Sequence, residues 1–210
     1  CIPLAGCVGI LSGQESAVVI RVQMQMGTLV KITAVARNES VAHAAATAGF
    51  AEIRRLEEIL STWIQTSELS RVNASAGLKP VSVSPETMTV VQGAIQVAEM
   101  TDGGFNITIG PAVDAWNVIE GRRIPTESEL ESLRPLVNLQ AVHADVRKQT
   151  IFLEKTGMRI DVGGIGKGYA ADQAVMAMKK AGALAGVVAL SGDIKTFGEL
   201  PGGRKFPVGI

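Results

Sequence analysis

The chain has 210 residues, 47% of them apolar and 19% charged, which supports one or two packed domains and excludes a mainly disordered polymer. Lys and Arg total 20 against 20 Asp and Glu, and no basic run interleaves with aromatic residues, so no nucleic acid is expected as a partner. The two histidines, His43 and His143, have no Cys or His neighbours at ligand spacing, which leaves a zinc site and a His-based nucleophile triad unsupported.

The first eleven residues are uncharged and hold both cysteines, Cys1 and Cys7, so no disulfide staples the body of the fold. That segment is too short to span a bilayer. Leu4-Ala5-Gly6-Cys7 resembles a bacterial lipobox, in which the cysteine is lipidated. An apolar first strand is an equal reading, and both stay open. Residues 17–25 read as a strand, Met26-Gly27 breaks it, and residues 28–36 read as a second strand rich in β-branched residues. Ser40 is the expected N-cap of a long helix ending near Trp63, with Phe50, Ile53, Leu56, Ile59, Leu60 and Trp63 as its core stripe. Residues 65–73 read as a loop or short helix.

Ser84-Pro85-Glu86 supplies a cap, a first-turn proline and an early acid for the next helix, which Gly103-Gly104 ends. Val90, Val91, Ala94, Ile95 and Ala98 are its expected buried face. Thr126 and Glu129 have capping-box spacing. Residues 151–154 and 158–162 read as a hairpin around Thr156-Gly157, and residues 163–168 as a glycine turn leading into a helix from Tyr169 to about Ala181. A buried strand over residues 186–190 precedes Ser191-Gly192-Asp193. The order of elements predicts an α+β (mixed α/β) fold in one body.

Two segments carry chemistry. In Asp161-Val162-Gly163-Gly164-Ile165-Gly166-Lys167-Gly168-Tyr169, a glycine turn entering a helix exposes N–H groups that suit a phosphate. A P-loop is excluded, because Asp161 stands at its first glycine and Gly168 at its hydroxyl residue; the dinucleotide fingerprint fails on the last glycine spacing. Close helix–strand packing accounts for the glycines equally well. In Gly104-Phe105-Asn106-Ile107-Thr108-Ile109-Gly110-Pro111, one phenyl ring among small groups suits a flat heterocycle, although a helix C-cap followed by a core Phe fits too.

Together with Met26-Gly27-Thr28, Leu60-Ser61-Thr62-Trp63 and Ser67-Glu68-Leu69-Ser70-Arg71-Val72-Asn73, these segments resemble the FAD:protein FMN transferase (ApbE-type) family. The resemblance runs from the first strand to Asp193. It implies flavin contacts from Met26, Trp63, Gly104, Phe105, Asn106, Asp161 and Lys167, and a magnesium ligand in the main-chain carbonyl of Gly164. Trp63 stands where the family often has Tyr, Asn106 where Asp is usual, and Gly164 and Gly166 where alanine is common. The implied reaction is Mg²⁺-dependent cleavage of FAD, with FMN passing to a threonine of an acceptor flavoprotein and AMP leaving. An FAD pyrophosphatase and a non-catalytic FAD-binding lipoprotein are the rival readings. Residues 1–16 are then a leader or signal remnant and residues 17–210 the transferase body, expected to lack its C-terminal part, its remaining metal ligands and its own activity. The lipobox places the protein at the outer, periplasmic side of a bacterial inner membrane, lipid-anchored.

Overall fold

The computed structural model describes residues 16–117, 121 and 123–208, so the Cys1 and Cys7 leader lies outside the described residues. Strands β1 (Ala17–Gln25) and β2 (Thr28–Ala36) form a hairpin whose two-residue turn, Met26-Gly27, has positive φ at both positions (51° and 69°). That turn follows the right-handed twist of the strands and fixes their register at Gln25 opposite Thr28. β2 also pairs with β6 (Ala185–Leu190), and β6 with β7 (Asp193–Phe197), giving an antiparallel sheet of order β1-β2-β6-β7.

Helices α1 (Glu39–Leu60) and α6 (Gly163–Lys180) pack side by side against this sheet. Small residues let them approach: a Cβ on Gly49 would lie 2.9 Å from Ile32 Cδ1 and 3.1 Å from Met178 Cγ, so glycine is what brings α1 down onto β2 and α6. Ile32, Ala46, Ile53, Leu56, Ala170, Ala174 and Met178 are fully buried at this contact. The edge strand β1 is turned the other way from a simple amphipathic strand. Arg21 and Gln25 face α1, bonding Thr47 Oγ1 and the Phe50 carbonyl, while Val18, Ile20, Val22 and Met24 are exposed.

A smaller antiparallel sheet, β3-β5-β4, is built from Val81–Ser82, Thr150–Leu153 and Val142–Asp145. Around it lie α2 (Glu68–Ala74), α3 (Pro85–Met100), α4 (Gly110–Trp116) and α5 (Glu127–Leu133). Ser84 caps α3 with Pro85 in the first turn, and Thr126 with Glu129 makes a full capping box on α5. Of the expected α3 face, Val90, Val91, Ala94 and Ala98 are buried and Ile95 is partly buried. No helix among the described residues is long and apolar enough to cross a membrane.

Some expectations are corrected. Asn38, not Ser40, caps α1, its side chain accepting from Val41 N–H at 2.9 Å; the extended backbone at Asn38 lets the chain enter the helix two residues earlier. The helix also stops at Leu60, because Ser61 turns extended, and Trp63 is 72% exposed instead of ending the core stripe. Residues 158–162 do not pair with β5, since β3 and β4 occupy both edges of that strand. Instead Asn73 Nδ2 donates to the Ile160 carbonyl (3.0 Å), Ile160 N–H donates to Asn73 Oδ1 (2.8 Å), and Asp161 N–H donates to the Ile107 carbonyl (2.8 Å). The glycine segment is not a turn before a helix: α6 begins at Gly163 itself. Phe206 to Val208 carry no ladder, and Pro207 has no N–H to give.

Arg55 on α1 joins Glu52 (2.7 Å) to Glu86 on α3 (2.8 Å). The hydrogen bond from Arg55 holds the Glu52 carboxyl below its ordinary range, ahead of an opposing effect of burial. A lowered folded-state value means stabilisation that is present above the unfolded carboxylate's pKa and lost as pH falls through the folded one. Arg55→Ala is therefore expected to cost about 1 kcal/mol at neutral pH, with the difference from wild type shrinking as pH falls below the ordinary carboxylate range, read by urea denaturation at neutral and acidic pH. Asn73→Ala leaves the Ile160 N–H and carbonyl without their partner and is expected to cost about 2–3 kcal/mol in the same assay.

Candidate functional site

A cavity of about 480 Å³ opens between the β1–β2 turn, the loop after α1 and the start of α6. Met26, Trp63, Asp161 and Lys167, four of the residues singled out in the sequence, line it together. The loop from Ser61 to Ser67 is shaped by one buried hydroxyl. Ser67 Oγ donates to the Ser61 carbonyl (2.5 Å) while accepting from Ser70 N–H (2.9 Å) as the cap of α2. This double use folds the loop back and leaves Thr62, Trp63 and Ile64 facing the cavity.

On the opposite wall, Asp161 Oδ1 accepts from Gly163 N–H at 2.7 Å, and the Val162 carbonyl accepts from the N–H groups of Ile165 and Gly166. The N–H of Gly164 finds no acceptor among the described residues and is exposed in the first turn of an 18-residue helix. Such an amide, with the helix dipole behind it and Lys167 one turn on, favours an anion. Lys167 makes no ion pair among the described residues. Tyr169, the last residue of the motif, belongs elsewhere: burial first, then the charge of Glu86, raises its phenol above the ordinary range on the α1–α3 side.

Gly104, Phe105, Asn106 and Gly164 do not line the cavity but stand beside it. A Cβ on Gly164 would meet Phe105 Cε2 at 2.9 Å, so the phenyl ring rests on the helix start. Asn106 Oδ1 accepts from both Thr108 N–H (2.9 Å) and Thr108 Oγ1–H (2.7 Å), capping a 3₁₀ turn over Ile107–Ile109. An aspartate there would fill the same capping role.

Glu57 was hidden in the sequence. It lines the cavity, and its Oε1 accepts from Met26 N–H at 2.7 Å, pinning the left-handed turn to α1. It sits in a charged run that reads as solvated surface, yet it follows Leu56 and precedes Leu60 by one turn, on the flank of the buried stripe. That flanking position is the signal that distinguishes it from Glu58. Val113 of α4 also lines the cavity without any motif to announce it.

No group of three His, Cys, Asp or Glu side chains that could hold a metal occurs among the described residues. The Gly164 carbonyl lies in the first turn of α6, at the end of the helix dipole that disfavours a cation.

Gly164→Val is expected to destabilise by about 1–3 kcal/mol, because the Phe105 ring must leave its seat. Thermal melts of Gly164→Val in wild-type and Phe105→Ala backgrounds check this: the penalty should shrink once the ring is gone.

A model of the family described as the ApbE family matches residues 26–210. An FAD:protein FMN transferase of Klebsiella pneumoniae (strain 342) is 31% identical over 159 residues, covering 75% of this chain and 50% of that protein. The crystal structure of the ApbE protein from Thermotoga maritima superposes with a TM-score of 0.81 at 26% identity, covering 88% of this chain and 60% of the other. The structure of the flavin transferase ApbE from Vibrio cholerae gives a TM-score of 0.85 at 24% identity, covering 93% and 64%, a likeness of fold alone. The chain spans about half the length of the curated relatives it matches.

Proposed function

The chain belongs to the ApbE family, and from that premise we propose that it is the flavin-binding part of an FAD:protein FMN transferase. The observation that carries this reading is the convergence of Met26, Trp63, Asp161 and Lys167 on one cavity at the start of α6. Apolar walls from Leu60, Ile64 and Val113 suit the flavin ring, with the exposed Trp63 indole as a stacking surface. The Lys167 ammonium on the cavity wall, with the first turn of α6 beside it, suits the pyrophosphate.

In the reaction so proposed, an acceptor threonine oxygen bonds to the FMN phosphorus, the bond from that phosphorus to the bridging oxygen breaks, and AMP leaves with that electron pair. The threonine proton is lost to solvent or to the departing phosphate. Lys167 and the helix amide hold the anionic groups against the approach of the oxygen. Asp161 keeps one carboxylate oxygen on Gly163 and presents the other to a ribityl or ribose hydroxyl. Magnesium dependence and a membrane-anchored periplasmic location belong to the same proposal, and EDTA inhibition of transfer tests the first.

Titration of flavin fluorescence tests the binding half. Lys167→Ala and Trp63→Ala are each expected to weaken FAD by roughly tenfold or more. FAD affinity unchanged in both folded variants would take the flavin out of this cavity. Incubation with FAD and a threonine-bearing acceptor separates the chemistry: in-gel flavin fluorescence on the acceptor supports transfer, and release of free FMN alone supports a pyrophosphatase.

A further inference from the structure

The cavity does not end at Trp63. A hollow of about 270 Å³ shares Thr62, Trp63, Val113 and Asp161 with it, and a further hollow of about 420 Å³ shares Thr62, Gln65 and Arg159 with that one. The three hollows adjoin through these shared residues, from Lys167 at one end to Asn73 at the other. Its chemistry changes along the way. The Lys167 end has apolar walls and an indole, whereas the far arm is lined by Thr62, Gln65, Ser70, Asn73 and Arg159, with no aromatic ring.

The hydrogen-bonding state of these groups narrows what the arm can hold. Both ends of the Asn73 amide are bonded to Ile160, so this residue is wall and not contact. The Thr62 hydroxyl and the Gln65 amide have no protein partner among the described residues, and the Ser70 hydroxyl keeps its acceptor lone pairs. Arg159 pairs through Nη1 with Asp114 at 2.9 Å, its side chain remains 40% exposed, and its Nε is buried without an acceptor. Arg159 and Asp161, two residues apart on the clamped segment, both line the middle hollow.

Free amide and hydroxyl groups on one wall suit the N–H and C=O groups of an extended polypeptide. A nucleobase needs a stacking platform, and the far arm has none. Arg159 is already paired with Asp114, and its remaining guanidinium donors suit a second acceptor such as a carboxylate. Resting on the function proposed above, we infer that the far arm is the docking trough for the acceptor polypeptide. An acidic residue of the acceptor lies against Arg159, and its hydroxyl residue is delivered to the Asp161 end, where α6 begins.

The test uses the 210-residue chain and a fluorescein-labelled peptide with aspartates flanking one threonine, read by anisotropy, with FAD titrated separately. Gln65→Trp fills the arm at an exposed position, and Arg159→Gln removes the cation without placing a second acid beside Asp114. Each is expected to weaken the peptide by roughly tenfold while FAD affinity changes by less than about twofold. Arg159→Glu should gain affinity for a peptide with lysines in place of the aspartates. Peptide affinity unaffected by both Gln65→Trp and Arg159→Gln, or no peptide binding by the wild-type chain, overturns the trough. Loss of FAD in place of peptide also overturns it and assigns the arm to the nucleotide. A wild-type chain that binds peptide but not FAD supports the trough and removes the flavin reading on which the first proposal stands.

Discussion

Asn73 grips the backbone of Ile160 with both ends of its amide, and the polar side of the cavity depends on that grip. The segment it holds is 87 residues away in sequence and belongs to no sheet, so nothing else gives its backbone a ladder. Buried peptide groups without partners are costly, and a side-chain amide that mimics a neighbouring strand meets that cost at one point. From the gripped residue the chain proceeds at once to Asp161, to the first amide of α6 and, a turn later, to Lys167. Arg159 stands on the other side of the same residue. Moving Ile160 would therefore move the cation, the acid and the helix start together.

The facing wall is held in a different way, by side chains that serve two purposes. Ser67 closes the loop after α1 and starts α2 with one hydroxyl. One residue on, Glu68 Oε2 accepts from Ser84 N–H, Ser84 Oγ–H and Thr87 Oγ1–H, which ties α2 to the entrance of α3. This wall thus hangs from helix ends whose own capping is satisfied by the same side chains that position the loop. Side chains so held lose little freedom on meeting a ligand, which is the physical meaning of a preorganised site.

Where local chemistry decides the structure, the sequence was readable. The β1–β2 hairpin, the capped start of α3, the capping box of α5 and strand β6 lie where periodicity and caps put them. The errors fall where a distant partner decides. Residues 158–162 have strand-like composition, but β5 had no free edge, and no local pattern reveals that β3 would take it. The glycine-rich run from Gly163 to Gly168 looks like a turn because glycine weakens helices, yet here packing of the helix start against Phe105 and Val162 overrides propensity. Met26, Trp63, Asp161 and Lys167, singled out through family resemblance, meet on one cavity. Glu57 and Arg159 were not singled out, because a charged residue beside a cavity and one in open solvent look alike in one sequence.

Met26 carries a consequence of its own. A non-glycine residue in the left-handed region is strained by about 1–2 kcal/mol, and asparagine or glycine would relieve much of it. The turn keeps a methionine there, its amide bound by Glu57 and its side chain against the cavity. A search for thermal stability alone would drift toward Met26→Asn or Met26→Gly and, in gaining stability, would strip a thioether from the wall. A hairpin that looks like plain scaffold is thus a place where the fold gives up stability for the shape of a cavity wall.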